Sequence, residues 1–205
     1  MTLEGKEATE RPVIVETRNS FAVIRLNRPA ERNSLSIVTL EELDATVSSL
    51  SARTDINALI FTGTKDVFAS GADIRELRAL TPESAREFAR RGQHLFQKIA
   101  DAKQLSIAAV NGYCMGGGLD LALACDLRCA SPGATFAHPG ARLGIITGWG
   151  GTQRLPRLIG MARALEMFAT AKRVTAREAY EMGLVSRVEE PVLDCAIAMI
   201  ESYGA

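Results

Sequence analysis

The chain has 205 residues, 47% of them hydrophobic and 23% charged, with 24 lysines and arginines balanced by 24 aspartates and glutamates. This is the composition of one sizeable globular domain, without the basic surplus that holds nucleic acid or the acidic excess that keeps a chain disordered. Four cysteines without Cys-x-x-Cys spacing and only two histidines, His94 and His138, argue against a metal site and for a reduced, cytoplasmic setting.

Residues 1–12 are polar, lack the apolar core of a secretory signal and read as frayed. No apolar run reaches membrane-spanning length. Residues 13–17 and 21–26 read as two strands of a hairpin around Asn19-Ser20. The polar loop 27–34 carries Arg28 and Arg32, which read on composition as part of a solvated connector. Ser36 can cap a helix with apolar positions Leu40, Leu43, Val47 and Leu50. Residues 58–62 are a buried strand, 64–74 a loop of small and apolar residues, and Thr81-Pro82-Glu83 a strong helix start. Residues 107–110 and 127–130 read as further strands, 135–140 as short and extended, and 144–151 as a glycine-rich loop opening a helix. Helical stretches follow at 161–171 and after the capping box Thr175 to Glu178. A strand at 184–188 and a last helix at 194–203 complete the chain. Strands alternating with helices predict an α/β fold with parallel pairing.

The stretch from Val110 to Asp126 carries the chemistry. Three glycines, Gly116, Gly117 and Gly118, lie between a strand and a buried helix. They let another molecule approach the main chain, and the first N–H groups of a helix have no internal acceptors. Such an end suits an oxygen that becomes negative during a reaction. Asp120, in the first turn, would stand beside it as an acid or base.

Several motifs in order resemble the crotonase superfamily, the enoyl-CoA hydratase/isomerase family. They are Leu26-Asn27-Arg28-Pro29 with Arg32-Asn33-Ser34-Leu35, Phe68 to Ile74, Asn111-Gly112-Tyr113 with the glycine triplet, Ala124 to Arg128, Gly150 to Leu155, and Gly183-Leu184-Val185. The resemblance implies a spiral of repeated β-β-α units over residues 13–190, assembled as a homo-trimer or hexamer. It implies an acyl-CoA thioester as substrate, with no cofactor beyond the CoA that the substrate carries and no nucleic-acid or membrane partner. The backbone N–H groups of Ala72 and Gly117 would hold the thioester oxygen, with Asp120 as the catalytic carboxylate. Ala69, Ala72, Asp73, Ile74, Arg75, Gly116 and Gly117 would line the CoA and acyl arm. Arg28 and Arg32 become candidates for the CoA phosphates.

The chain also departs from the family pattern. A family hydratase carries two glutamates; Asp120 holds the place of one, and Gly140 stands where the other belongs. His138 is a candidate substitute base, although it reads first as a strand residue beside Pro139. Trp149 occupies a loop position the family fills with a small residue, and either reshapes the acyl pocket or packs. Residues 191–205 form a shortened C-terminal helical region. The expected activity is enoyl-CoA hydration. Enoyl- or dienoyl-CoA isomerisation, and acyl-CoA decarboxylation or hydrolysis, are the alternatives. A CoA-binding paralogue without catalysis is the reading from another class.

Overall fold

In the computed structural model, which describes residues 11–203, the chain winds through two main sheets in a regular alternation. The larger sheet has the order β1 (Val13–Arg18), β2 (Phe21–Leu26), β4 (Ala58–Thr62), β7 (Leu105–Val110), β9 (Leu127–Ala130) and β12 (Arg187–Val188). The smaller has the order β11 (Val174–Thr175), β10 (Thr135–Ala137), β8 (Tyr113–Met115) and β5 (Val67–Ala69). The short strands β3 (Ser34–Leu35) and β6 (Gly71–Ala72) pair with each other. Only β1–β2 and β10–β11 are antiparallel among these pairs.

The order explains the winding. Strands β4, β7 and β9 step across the large sheet while their successors β5, β8 and β10 step across the small one. Each such step is followed by a helix: α3 (Pro82–Ala100) after the first, α4 (Gly117–Ala124) after the second and α5 (Gly151–Ile159) after the third. This is the expected β-β-α spiral. The remaining helices are α1 (Ile37–Ser51), α2 (Ile74–Arg78), α6 (Met161–Thr170), α7 (Ala176–Glu181) and α8 (Val192–Tyr203).

Local chemistry sets the helix ends. The Ser36 hydroxyl accepts from the Thr39 N–H at the start of α1, and α1 buries Leu40, Leu43, Val47 and Leu50, each burial contributing roughly 1.5–3 kcal/mol. Thr81 with Ser84, and Thr175 with Glu178, form reciprocal capping boxes at α3 and α7. The two faces of the large sheet follow the period of two: Ala22 and Ile24 face the main core, whereas Phe21 and Val23 face the other side. That other side is covered by α8, through Val192, Cys195, Ala196, Met199 and Ile200.

The sequence expectations need five corrections. Residues 67–69 and 71–72 are strands rather than loop, and 113–115, between the Asn111-Gly112 turn and the glycine triplet, form a further strand. Strand 184–188 shrinks to 187–188, and the last helix starts at Val192. The short strands gain their hydrogen bonds from distant segments, which a local pattern does not contain. The expected frayed segment 1–12 lies, up to residue 10, outside the described residues.

Candidate active site

Helix α4 is buried along its entire length, and Asp120 is its one charged residue. A helix that is apolar all round belongs inside the core. A carboxylate carried there must have a reason to be buried. The glycines let α4 fit. A Cβ on Gly118 would come within 2.4 Å of the Ala69 carbonyl oxygen, so only a residue without a side chain lets α4 lie this close to β5. Gly117 is the first residue of α4, where an N–H has no acceptor inside the helix. A Cβ there would lie 3.4 Å from the Ala72 nitrogen, so the two backbone donors stand side by side at the meeting of α4 and β6.

Asp120 faces the same space. Thr147 donates its hydroxyl to Asp120 Oδ2, while Oδ1 has no hydrogen-bond partner among the described residues. Burial pushes the Asp120 carboxyl up to about 7, against the opposing pull of the Thr147 hydroxyl and the Arg154 charge. His138 Nε2 lies 3.4 Å from Asp120 Oδ1, and neither ring nitrogen has a hydrogen-bond partner among the described residues. Burial pushes the imidazole down to about 4, so it is neutral around pH 7. The sequence favoured a plain strand residue at 138. The structure instead turns its ring to the buried carboxylate, with Phe168 packed 5.0 Å away on the other side.

The cleft has two connected parts. An apolar inner part of ≈ 410 Å³ is bounded by Leu77, Phe88, Ala89, Ile146 and Trp149, and reaches Gly117, Asp120, His138 and Gly140. An outer part of ≈ 670 Å³ carries Arg32, Arg75, Arg142 and Arg173 against Glu31 and Asp73. Ser70, Ala72, Ile74 and Pro139 line both, so the Ala72 donor sits at the junction, with Gly117 just inside it. Trp149 both packs into the core and borders the inner cleft. Its indole N–H donates to the Phe88 carbonyl at 3.2 Å and its ring meets Phe96 edge-on, yet it also walls the inner cleft. Gly92 and Gly117 make room for it, since a Cβ on either would come within 2.3 Å of the indole.

Most of the expected residues converge: Ala72, Ile74, Gly116, Gly117, Asp120, His138, Gly140 and Trp149 line the inner cleft. Arg32 lines the outer one, its guanidinium 5.0 Å from the centre of the Tyr113 ring. Two do not. Arg28 is outside the cleft lining and pairs with Glu31, and Ala69 is fully buried behind it against Gly118. Asp73 is turned inward: it caps α2 by accepting from the Arg75 N–H and holds the Arg75 guanidinium at 2.6 Å. That pairing draws its carboxyl below the usual range. Thr147, Arg142 and Arg173 were not picked out by sequence reasoning; Thr147, inside the glycine-rich loop, was the most accessible of these to it. Among the described residues there is no cluster of three or more metal-type ligands, and no helix is long and apolar enough to cross a membrane.

A family model described as enoyl-CoA hydratase/isomerase matches residues 16–203. The short-chain-enoyl-CoA hydratase of Clostridium acetobutylicum is 40% identical over 180 residues, spanning 87% of this chain and 69% of that protein. The crotonyl-CoA hydratase of Syntrophomonas wolfei is 42% identical over 180 residues, with the same shares. The crystal structure of an enoyl-CoA hydratase from Bacillus anthracis superposes with a TM-score of 0.89 at 36% identity, covering 93% of this chain and 76% of that one.

Proposed function

The chain belongs to the enoyl-CoA hydratase/isomerase family, and on that basis we propose that it hydrates a 2-enoyl-CoA thioester. One observation carries the reading: two adjacent backbone donors and a buried carboxyl meet where an apolar cleft opens into an arginine-rimmed one. The acyl chain occupies the inner part and the CoA phosphates the outer, near Arg32, Arg142 and Arg173. Charge moves onto the thioester oxygen as water adds, and the N–H groups of Ala72 and Gly117 form the oxyanion hole that receives it. Each fixed donor in such a water-poor site is worth on the order of 3 kcal/mol. Asp120 handles the proton at the α-carbon, and its raised pKa matches an acid or base working near neutrality. The reaction needs no cofactor beyond the CoA of the substrate.

Gly140 favours isomerisation as a second reading, because moving a double bond needs one proton shuttle whereas the family hydratase uses two carboxylates. Self-association as a trimer is supported by the exposed Leu158, Met161 and Leu165 on α5 and α6. A cytoplasmic setting is supported by four buried free cysteines. The deciding experiment follows the enoyl absorbance with a short 2-enoyl-CoA and, separately, a 3-enoyl-CoA. Loss of absorbance with the first is hydration. Growth of absorbance with the second and no loss with the first would replace hydratase by isomerase.

A further inference from the structure

Resting on the hydratase reading, we propose that His138 is the second proton-transfer group of this site, working with Asp120 in the role the family assigns to a second carboxylate. Geometry carries the inference. Three polar atoms are buried with no hydrogen-bond partner among the described residues: Asp120 Oδ1, the His138 Nε2 that faces it, and His138 Nδ1 on the other edge of the ring. Buried polar groups are nearly always satisfied, so a cluster of unsatisfied ones in a cleft marks a place where substrate or its water completes the network. The 3.4 Å between Nε2 and Oδ1 is just beyond a good hydrogen bond, close enough for a proton to pass after a small adjustment. Crowding holds the pair in register. A Cβ on Gly151 would come within 2.1 Å of Asp120 Oδ1 and 3.1 Å of His138 Cε1. A carboxylate cannot readily be supplied from position 140, where a Cβ would come within 2.5 Å of the Ile145 carbonyl oxygen.

The chemistry balances. The pair enters the cycle with Asp120 protonated and His138 neutral, a state that Asp120 populates at and below about pH 7. Water attacks C3, forming the C3–O bond, and the proton it loses goes to a His138 ring nitrogen. The π pair of C2=C3 moves toward C2 and the thioester oxygen, which Ala72 and Gly117 hold. Asp120 gives its proton to C2. The carboxylate and imidazolium left behind face each other, and one proton passing from His138 to Asp120 restores the starting pair. The other titratable or charged groups around the pair are Arg154 of α5, which lowers the Asp120 pKa, and the Cys114 thiol of β8, held neutral by burial. Phe168 of α6 contributes only its apolar ring.

This pairing fixes the sign of the pH dependence. The productive state needs Asp120 protonated and His138 neutral, so kcat/KM for hydration falls as pH rises through about 7. A lone carboxylate acting first as base would give a rate that rises through the same pH. The experiment measures the wild-type profile and that of His138→Gln with a short 2-enoyl-CoA, and acyl-CoA affinity by calorimetry. The expected result is a wild-type profile falling above pH 7. His138→Gln should lose about 10²-fold in kcat with affinity kept, its residual rate now rising with pH. A wild-type profile that rises through pH 7 overturns the proposal even if the variant fails to fold. So does a His138→Gln enzyme with unchanged kcat and profile, and either result leaves the hydratase reading intact. A wild type that binds acyl-CoA but consumes no enoyl-CoA overturns both.

Discussion

Two glycine-rich segments face residues 70–89 across the cleft, and they are built differently. The first, Val110 to Ala124, passes from β7 through β8 into α4, and every residue of that helix is buried. The second, His138 to Gly151, is a single 3₁₀ turn, Pro139–Leu143, followed by irregular chain; Leu143 at the end of the turn and Ile145 and Ile146 after it are about half exposed or more, at 52%, 48% and 64%. The first supplies the Gly117 donor and Asp120, both fixed by the core. The second supplies His138, Thr147 and Trp149, which border the buried carboxyl and wall the inner cleft. The part of the site common to the family's chemistry is thus locked into the packing. The part that distinguishes this chain lies on a segment whose middle, from Leu143 to Ile146, is exposed, although His138 and Trp149 at its ends are buried.

The contrast can be broken from either side. The largest expected effect is at Trp149, the large side chain that the second segment sends into the core. Trp149→Ala removes a ring wedged between Gly92, Gly117, Phe88 and Phe96, and should cost about 3–5 kcal/mol in urea denaturation. It should also shift kcat/KM toward longer acyl chains; an unchanged chain-length preference would remove Trp149 as a wall of the acyl space. Next comes Gly117→Ala. Its Cβ would collide with Trp149 beside the Ala72 nitrogen, and kcat should fall about 10²–10³-fold as the donors lose alignment, read by steady-state kinetics beside acyl-CoA binding.

A smaller effect is expected at the departure itself. Gly140→Glu puts a Cβ against the Ile145 carbonyl oxygen, so the strain should cost about 1–3 kcal/mol in thermal unfolding and hydration should not rise. A faster enzyme would show that the second segment adapts more freely than its packing implies. The smallest effect sharpens the pair between the segments. Asp120, raised to about 7, keeps a proton in the native state that the unfolded chain releases, so this group makes stability fall as pH rises from about 4 to about 7. His138, lowered to about 4, refuses a proton that the unfolded chain binds below about 6.5, so it makes stability rise from about pH 4 to about 6.5. The two oppose each other in the wild type. Asp120→Asn should therefore show a Tm that climbs over the lower window relative to wild type, and His138→Gln one that declines up to about pH 7. Parallel Tm profiles in all three proteins would contradict the burial of both groups.

Legibility in the sequence followed the same divide. The glycine triplet, the buried helix after it and Asp120 in its first turn are local signals, and they led directly to the inner cleft where Gly117 and Asp120 lie. The capping residues Ser36, Thr81 and Thr175 fixed three helix starts for the same reason. Strands β5, β6 and β8 were missed because they are only two or three residues long and exist through pairing with distant chain. The orientation of His138 was also hidden. It depends on α4, α5 and α6 meeting around its ring, and a single histidine beside a proline carries no trace of that. Arg28 stands outside the cleft lining for the opposite reason. Its motif was visible, but the Glu31 that occupies its guanidinium matters only once the 3₁₀ turn at Pro29–Glu31 has formed.

The central claim is that the core-held half of the cleft performs chemistry on an acyl-CoA through Asp120. The most direct test is loss of enoyl absorbance from a short 2-enoyl-CoA, wild type beside Asp120→Asn, with acyl-CoA affinity measured on both. The account predicts hydration by the wild type, a loss of at least about 10²-fold in kcat in the variant, and retained binding. Equal turnover by the two proteins, or binding without turnover in the wild type, would contradict it.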